Sequence, residues 1–401
     1  MRILAINQFF WPDTAATAQL LKDLCESVNL DLHSVTVICS PKLYGRPDTG
    51  ISPGVSILHA GNEAFSRSSW GRVRSYGSFF IETAITSFMH RRADVVLTLT
   101  TPPLISLIGT LLKSLRGSRH FIWEMDLYPD IAVDLKVLKR RSPVTRVMGA
   151  LADFSRKRAD GVIALDDDMK HRLLARGIPE EIIFVVENWA DGEVMKPAPF
   201  NPGALVVQYS GSLGLAHDEH TILEVMRQLR NNRRFRFMFV GGGAKRRQVE
   251  QRCESEGIAN VEFRDYARAS ELCSSLAVGH LGLVTQLPET LGAVVPSKTY
   301  GIMAAGRPVL YVGPRESTIA RMLERYECGW QINPGDAPAM IRLLEQLDRD
   351  RDLLRTAGAN ARSAFERHYD KRIGTSRILS ILGLSATPRV PATHVVTAGV
   401  S

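Results

Sequence analysis

Short runs of β-branched and aromatic residues alternate with longer segments whose apolar positions recur every three to four residues. This alternation is the main structural signal in the chain. The runs predict strands at Ile3–Phe9, Val35–Cys39, Val55–His59, Val95–Thr100, Phe121–Asp126, Gly161–Leu165 and Ile182–Glu187. After a gap, further strands are predicted at Leu205–Ser210, Phe235–Val240, Val261–Tyr266, Leu281–Thr285, Pro308–Val312 and Trp330–Asn333. Helical periodicity fills most intervals, for example Thr17–Val28, Pro143–Arg158, Glu219–Arg230 and Pro338–Leu347, with Asp336 placed to cap the last. Strand-helix alternation implies parallel sheets covered on both faces.

The gap, residues 191–203, holds Pro197, Pro199, Pro202 and Gly203 and reads as a linker. The chain thus divides into a domain at 1–190, the linker, a domain at 204–369, a terminal helix at 370–385, and an Ala/Thr/Pro/Val-rich tail at 386–401 that is expected to be disordered. In doubly wound folds ligands bind at the carboxyl ends of the strands, so the cleft between the domains is the default site.

Length and composition agree with this division. The 401 residues are 45% hydrophobic and 23% charged, as in a globular protein of two domains. Five scattered cysteines with no C-x-x-C spacing argue for reduced thiols in a cytosolic protein, against a disulfide frame or zinc site. The amino terminus enters a strand at once, without a signal-peptide pattern. The most apolar window, Val95 to Leu112, is broken by Pro102 and Pro103 and reads as strand, turn and helix.

Charge adds one feature. The net charge is +8, and residues 67–146 hold 13 Lys/Arg against 6 Asp/Glu. Trp70, Arg72 and Arg74 near a helix start, with Arg140 and Arg141 in a basic loop, could dock on anionic membrane or meet a lipid-linked acceptor. A solvated helix face is the alternative. No nucleic-acid recognition motif accompanies the charge.

The chemistry concentrates in the second half. Pro296-Ser297-Lys298 opens a helix that runs through Ala304-Ala305-Gly306 into the strand after Arg307. A helix start offers free N–H groups to a phosphate, and Lys298 adds a full charge. Gly211, Ser212 and Gly214 follow one strand; Gly242, Gly243 and Lys245 follow the next. Both turns can bring backbone close to phosphate, although tight packing explains the glycines, and a solvated face explains Lys245, equally well.

The ordered set Trp11-Pro12-Asp13, Thr101-Pro102-Pro103, Asp126-Leu127-Tyr128-Pro129-Asp130, Asn188-Trp189-Ala190-Asp191, Ser210-Gly211-Ser212-Leu213-Gly214 and Pro296-Ser297-Lys298…Ala304-Ala305-Gly306 resembles family 4 nucleotide-sugar glycosyltransferases. The likeness covers residues 1 to 380 and is nearest to the branch that builds O-antigen, capsule or exopolysaccharide. It implies the GT-B fold, with two doubly wound Rossmann-like domains facing across a cleft. It also implies transfer of a sugar from a UDP-sugar to a polyprenyl-diphosphate-linked or other saccharide acceptor, with retention, without metal or other cofactor, in the cytoplasm at the inner face of the plasma membrane.

The chain departs from the family in several places. The glutamate pair of many members falls on Ala293 and Gly301, and Ser212 stands where an Arg is common. His217 and Asp218 replace a Lys. Lys298 and Ser297 are therefore expected to take over the diphosphate. By the resemblance, His217 borders the donor sugar and Tyr266 lies by the nucleobase. Glu316 is a further donor contact, or simply an acid at a helix start. Asp126 and Glu124, on one face of a strand, are the candidate base and orienter for the acceptor hydroxyl, with turn capping as the alternative for Asp126. Asp166-Asp167-Asp168 precedes a helix and reads as a cap rather than a metal site; His217 and His220 lack a carboxylate partner pattern for metal. The missing glutamates keep two other readings open: an epimerase or hydrolase on this fold, and a nucleotide-binding protein without catalysis.

Overall fold

The computed structural model describes residues 1–13, 15–41, 54–61 and 69–385, without the side chains of 69, 70, 72, 73 and 269. The first sheet contains β1 (Arg2–Ile6), β2 (Ser34–Cys39), β3 (Val55–His59), β4 (Val95–Thr98), β5 (Arg119–Trp123), β6 (Gly161–Ala164) and β7 (Ile183–Val185). All seven run parallel in the order β3-β2-β1-β4-β5-β6-β7. Its helices are α1 (Ala16–Ser27), α2 (Ser69–Met89), α3 (Ser106–Arg116), α4 (Asp130–Asp134), α5 (Pro143–Arg158) and α6 (Asp167–Ala175).

The second sheet contains β8 (Leu205–Ser210), β9 (Phe235–Val240), β10 (Val261–Arg264), β11 (Leu281–Thr285), β12 (Val309–Val312) and β13 (Gly329–Ile332), in the order β10-β9-β8-β11-β12-β13. Around it lie α7 (His220–Gln228), α8 (Arg246–Ser255), α9 (Leu272–Ala277), α10 (Lys298–Ala304), α11 (Thr318–Tyr326), α12 (Ala337–Arg349) and α13 (Asp352–His368). The last helix, α14 (Lys371–Leu382), packs on α1 of the first domain, where Ile378, Leu379 and Leu382 join the core.

Both faces of each sheet are covered at the centre, where side chains along a strand alternate between two cores; the edge strand β10 exposes Glu262 and Arg264 on one face. In β1, Ile3 and Ala5 enter one core, while Leu4 and Ile6 enter the other with Phe79, Ile105 and Ile108. In the second sheet Leu310 and Val312 face one core, and Val309 and Tyr311 the other.

Several of the expected strands end early, among them β1 at Ile6, β7 at Val185 and β10 at Arg264. β4 stops at Thr98 and β5 at Trp123. Pro102 and Pro129 have no N–H to extend a ladder, and the chain after β5 turns to the other domain instead. There the Leu127 N–H donates to Ala293 O at 2.8 Å, and Asp126 forms an isolated bridge with Val294. Ala293 and Val295 are buried in the first domain's core. Asp168 adds a second tie across the boundary, accepting from the Thr318 N–H at 2.6 Å and from Arg321 at 3.1 Å.

Candidate active site

The second sheet reverses its winding between β8 and β11, and the loops after these strands diverge to leave a crevice at their carboxyl ends. Lys298, the first residue of α10, points into it. Its Nζ donates to Tyr209 Oη at 2.7 Å and lies 3.3 Å from His217 Nε2 and 3.5 Å from Ser212 O. It also sits 4.4 Å from the centre of the Tyr209 ring. The Tyr209 hydroxyl donates in turn to Ser212 O at 2.7 Å.

The partners of His217 fix its tautomer. Nδ1 lies 2.7 Å from Thr285 O, an acceptor, so Nδ1 carries the proton and Nε2 presents a lone pair to Lys298. Burial, followed by the Lys298 charge, lowers the His217 pKa to about 3, so the ring is neutral. Burial also lowers the Lys298 pKa to about 7. Among the described residues no carboxylate is paired with Lys298; it is held by two oxygens, an imidazole nitrogen and a ring face.

The glycines divide into two groups. Gly211 has φ +121°, and a Cβ there would stand 3.4 Å from Lys298 Cε, so it borders the crevice. Gly214 has open space beside it, with His217 at 3.8 Å. Gly243, at φ +114°, serves packing: a Cβ would fall 2.4 Å from Leu213 N, because this loop lies directly on the first glycine loop. Gly242 faces the ring of Tyr266, which is 61% exposed beyond β10.

Lys245 is not the free cation expected from the sequence. Its Nζ donates to Glu219 Oε2 at 2.6 Å and to His217 O at 2.7 Å. Buried Glu219 supplies its counter-charge, so Lys245 braces the His217 loop. Ser297 is half-buried beside Lys298, and its hydroxyl caps nothing in the helix. Glu316 is exposed before α11, where its carbonyl accepts from Arg321; Ser317 is the side chain that caps this helix.

Glu124 needs a larger correction. Its carboxylate is buried in a bidentate pair with Arg156, at 2.7 and 3.3 Å. The ion pair occupies both oxygens and makes Glu124 a framework residue, unavailable as a base. The two acids do not share a strand face, because β5 ends before either of them. Asp126 is half-buried, and its N–H donates to Thr100 Oγ1 at 3.2 Å. Its carboxylate has no hydrogen bond or ion pair among the described residues. Burial, then the charge of Glu124, raises its pKa to about 6. A cavity lined by Thr100, Leu104, Glu124, Asp126, Tyr128 and Arg156 opens beside it.

Asp166 caps α6 by accepting from the Met169 N–H at 2.7 Å, and Asp168 is spent on the tie to α11. Arg74, Arg140 and Arg141 are exposed; the side chains of Trp70 and Arg72, and the tail from 386, lie outside the described residues. Sequence reasoning missed Tyr209 and Arg156. Tyr209 reads as an apolar strand residue, and nothing in the helical pattern of α5 distinguishes Arg156 from its basic neighbours.

Residues 205–350 match the family model described as Glycosyl transferases group 1. These residues carry a group 1 glycosyltransferase domain. This transferase is 26% identical over 396 residues to the probable glycosyltransferase WbjE of Pseudomonas aeruginosa, covering 94% of this chain and 96% of that protein. It is 22% identical over 408 residues to the putative colanic acid biosynthesis glycosyl transferase WcaI of Escherichia coli K12, covering 92% and 97%. Anabaena HepE, solved with UDP and glucose, superimposes with a TM-score of 0.72 at 16% identity, over 96% of this chain and 99% of that one. The transferase has the GT-B fold.

Proposed function

We propose that the chain transfers a sugar from a UDP-sugar to a polyprenyl-diphosphate-linked or other saccharide acceptor in cell-surface polysaccharide assembly. Transfer proceeds with retention, without a metal, in the cytoplasm at the inner face of the membrane. The observation that carries this reading is Lys298, a partly buried amine whose partners among the described residues are all neutral. Such a site lacks a negative charge, and a diphosphate would supply it. The relatives WbjE and WcaI, the second named for colanic acid biosynthesis, and the UDP and glucose bound to HepE support the choice of substrates.

In this mechanism Ser297, Ser212 and the Gly211–Gly214 backbone hold the donor phosphates, and Tyr266 flanks the base. The acceptor oxygen bonds to the anomeric carbon as the bond from that carbon to the β-phosphate oxygen breaks. The bonding pair leaves with UDP, whose new charge meets Lys298. The hydroxyl proton passes to Asp126, whose carboxylate has no partner among the described residues. The test is transfer of labelled sugar from a panel of UDP-sugars to polyprenyl-diphosphate saccharides, with EDTA present. Acceptor-dependent transfer that is lost in Lys298→Ala and Asp126→Asn is expected; absence of binding by UDP, GDP and CDP would sink the assignment.

A further inference from the structure

Helix α5 is built inside out. Its inward positions, Thr145, Gly149, Ala152 and Ser155, are small or polar, and Ser155 Oγ meets Thr110 Oγ1 of α3 at 2.8 Å. Its outward positions, Val144, Val147, Leu151 and Phe154, are large and apolar, yet 57, 58, 38 and 45% exposed. Their spacing places them in one stripe along the helix. An ordinary surface helix has the opposite polarity. The neighbours continue the pattern, since α3 packs against both α5 and α2. Leu111 and Leu115 are exposed on α3, and Ile81, Ile85 and Met89 on α2. An apolar surface spread over three adjacent helices marks an interaction site.

Charge selects the partner. Residues 136–158 contain eight Lys/Arg and one acid, Asp153. Arg156 and Asp153 are engaged in internal ion pairs; the other seven basic residues are exposed. The Arg158 guanidinium lies over the Phe154 ring, 4.3 Å from its centre. A stripe of hydrocarbon bordered by cations matches hydrocarbon lying beneath anionic headgroups. A second copy of the chain would instead set one net-positive patch against another across a two-fold axis.

We propose that the outward faces of α2, α3 and α5 dock the protein on an anionic lipid bilayer. Among the described residues no helix is long and apolar enough to cross a membrane, so the contact is interfacial. Arg140 and Arg141 lie at its border, and the apolar stripe of α5 is its centre. The inward sides of α3 and α5 also line the Asp126 cavity, through Ser106, Ala152 and Arg156. A lipid-linked acceptor would therefore reach Asp126 across about one helix diameter, roughly 10 Å. That last link rests on the proposed role of Asp126, whereas the docking itself does not.

The test is sedimentation of the full chain with vesicles of phosphatidylcholine, alone or mixed with phosphatidylglycerol. The expected result is binding to the mixed vesicles, weakened by salt and reduced at least ~10-fold in both Val147→Glu/Leu151→Glu and Arg140→Glu/Arg141→Glu. Leu115→Glu on α3 gives an independent readout if the α5 pair fails to fold. Equal sedimentation with both vesicle types, or variants that bind as wild type does, would overturn the proposal. A dimer in sedimentation velocity that Leu151→Glu dissociates would overturn it in favour of self-association. UDP titration of the same variants separates the two readings: a docking failure leaves UDP affinity intact, and a failed donor site leaves vesicle binding intact.

Discussion

Binding of UDP should consume a proton, because the ammonium proposed to meet the diphosphate is only half formed in the free protein at neutral pH. The Lys298 pKa is lowered from 10.5 to about 7 by burial. A bound phosphate favours the charged form and returns the pKa toward its ordinary value. At pH 7 about half of the free sites carry the charge, and at pH 9 about one in a hundred, so UDP affinity should fall about 50-fold over that range. Near pH 8 each binding event should take up close to one proton, measurable by titration calorimetry in buffers of different ionisation enthalpy. Lys298→Arg keeps a cation that does not titrate in this range, so it should bind with little dependence on pH. Lys298→Ala should bind at least ~10-fold more weakly at pH 7, a loss of about 1.4 kcal/mol, and also with a flat profile. A wild-type affinity that changes less than ~3-fold between pH 7 and 9, or a slope that survives in Lys298→Ala, would refute the reasoning.

Four other outcomes follow from particular contacts. Glu124→Gln should cost up to about 3–5 kcal/mol of stability, read by denaturant unfolding, because it removes the bidentate partner of buried Arg156 and leaves Asp153, at 3.2 Å, as its paired carboxylate. Asp126→Asn should lower kcat about 100-fold or more. It should not lower stability at pH 8: the folded pKa of about 6 exceeds the ordinary 3.8, so the native state binds the extra proton between these values and stability falls as pH rises through the window. The Asn variant removes that fall, which pH-dependent melting would show. Gly243→Ala should destabilise by at least ~2 kcal/mol in chemical denaturation, since its Cβ would meet the Leu213 backbone at φ +114°. Transfer should proceed at the same rate in EDTA, assayed by UDP release.

The thirteen strands of the described residues were legible in the sequence because most are parallel strands buried on both faces, which leave apolar, β-branched runs, and an edge strand such as β10 still alternates apolar with polar residues. The strand ends were less legible where the chain stops pairing with its own sheet, as at Thr98 and Trp123. The site was legible only in part, for a physical reason. Sequence gives residue types and local spacing, but a charge becomes chemically available only through what does or does not stand beside it in space. Lys245 and Lys298 look alike along the chain, each after a small residue near a helix start. In the fold Lys245 meets buried Glu219 and is neutralised, whereas Lys298 meets Tyr209, His217 and a carbonyl and is not. Glu124 and Asp126 divide in the same way, one satisfied by Arg156 and the other left open. The family's glutamate position at Ala293 follows the same logic: its carbonyl accepts from the Leu127 N–H inside the first domain's core, where a carboxylate would need a buried partner. The cations and carboxylates left without partners in the fold, rather than those matching a motif, are therefore the groups on which the chemistry should rest.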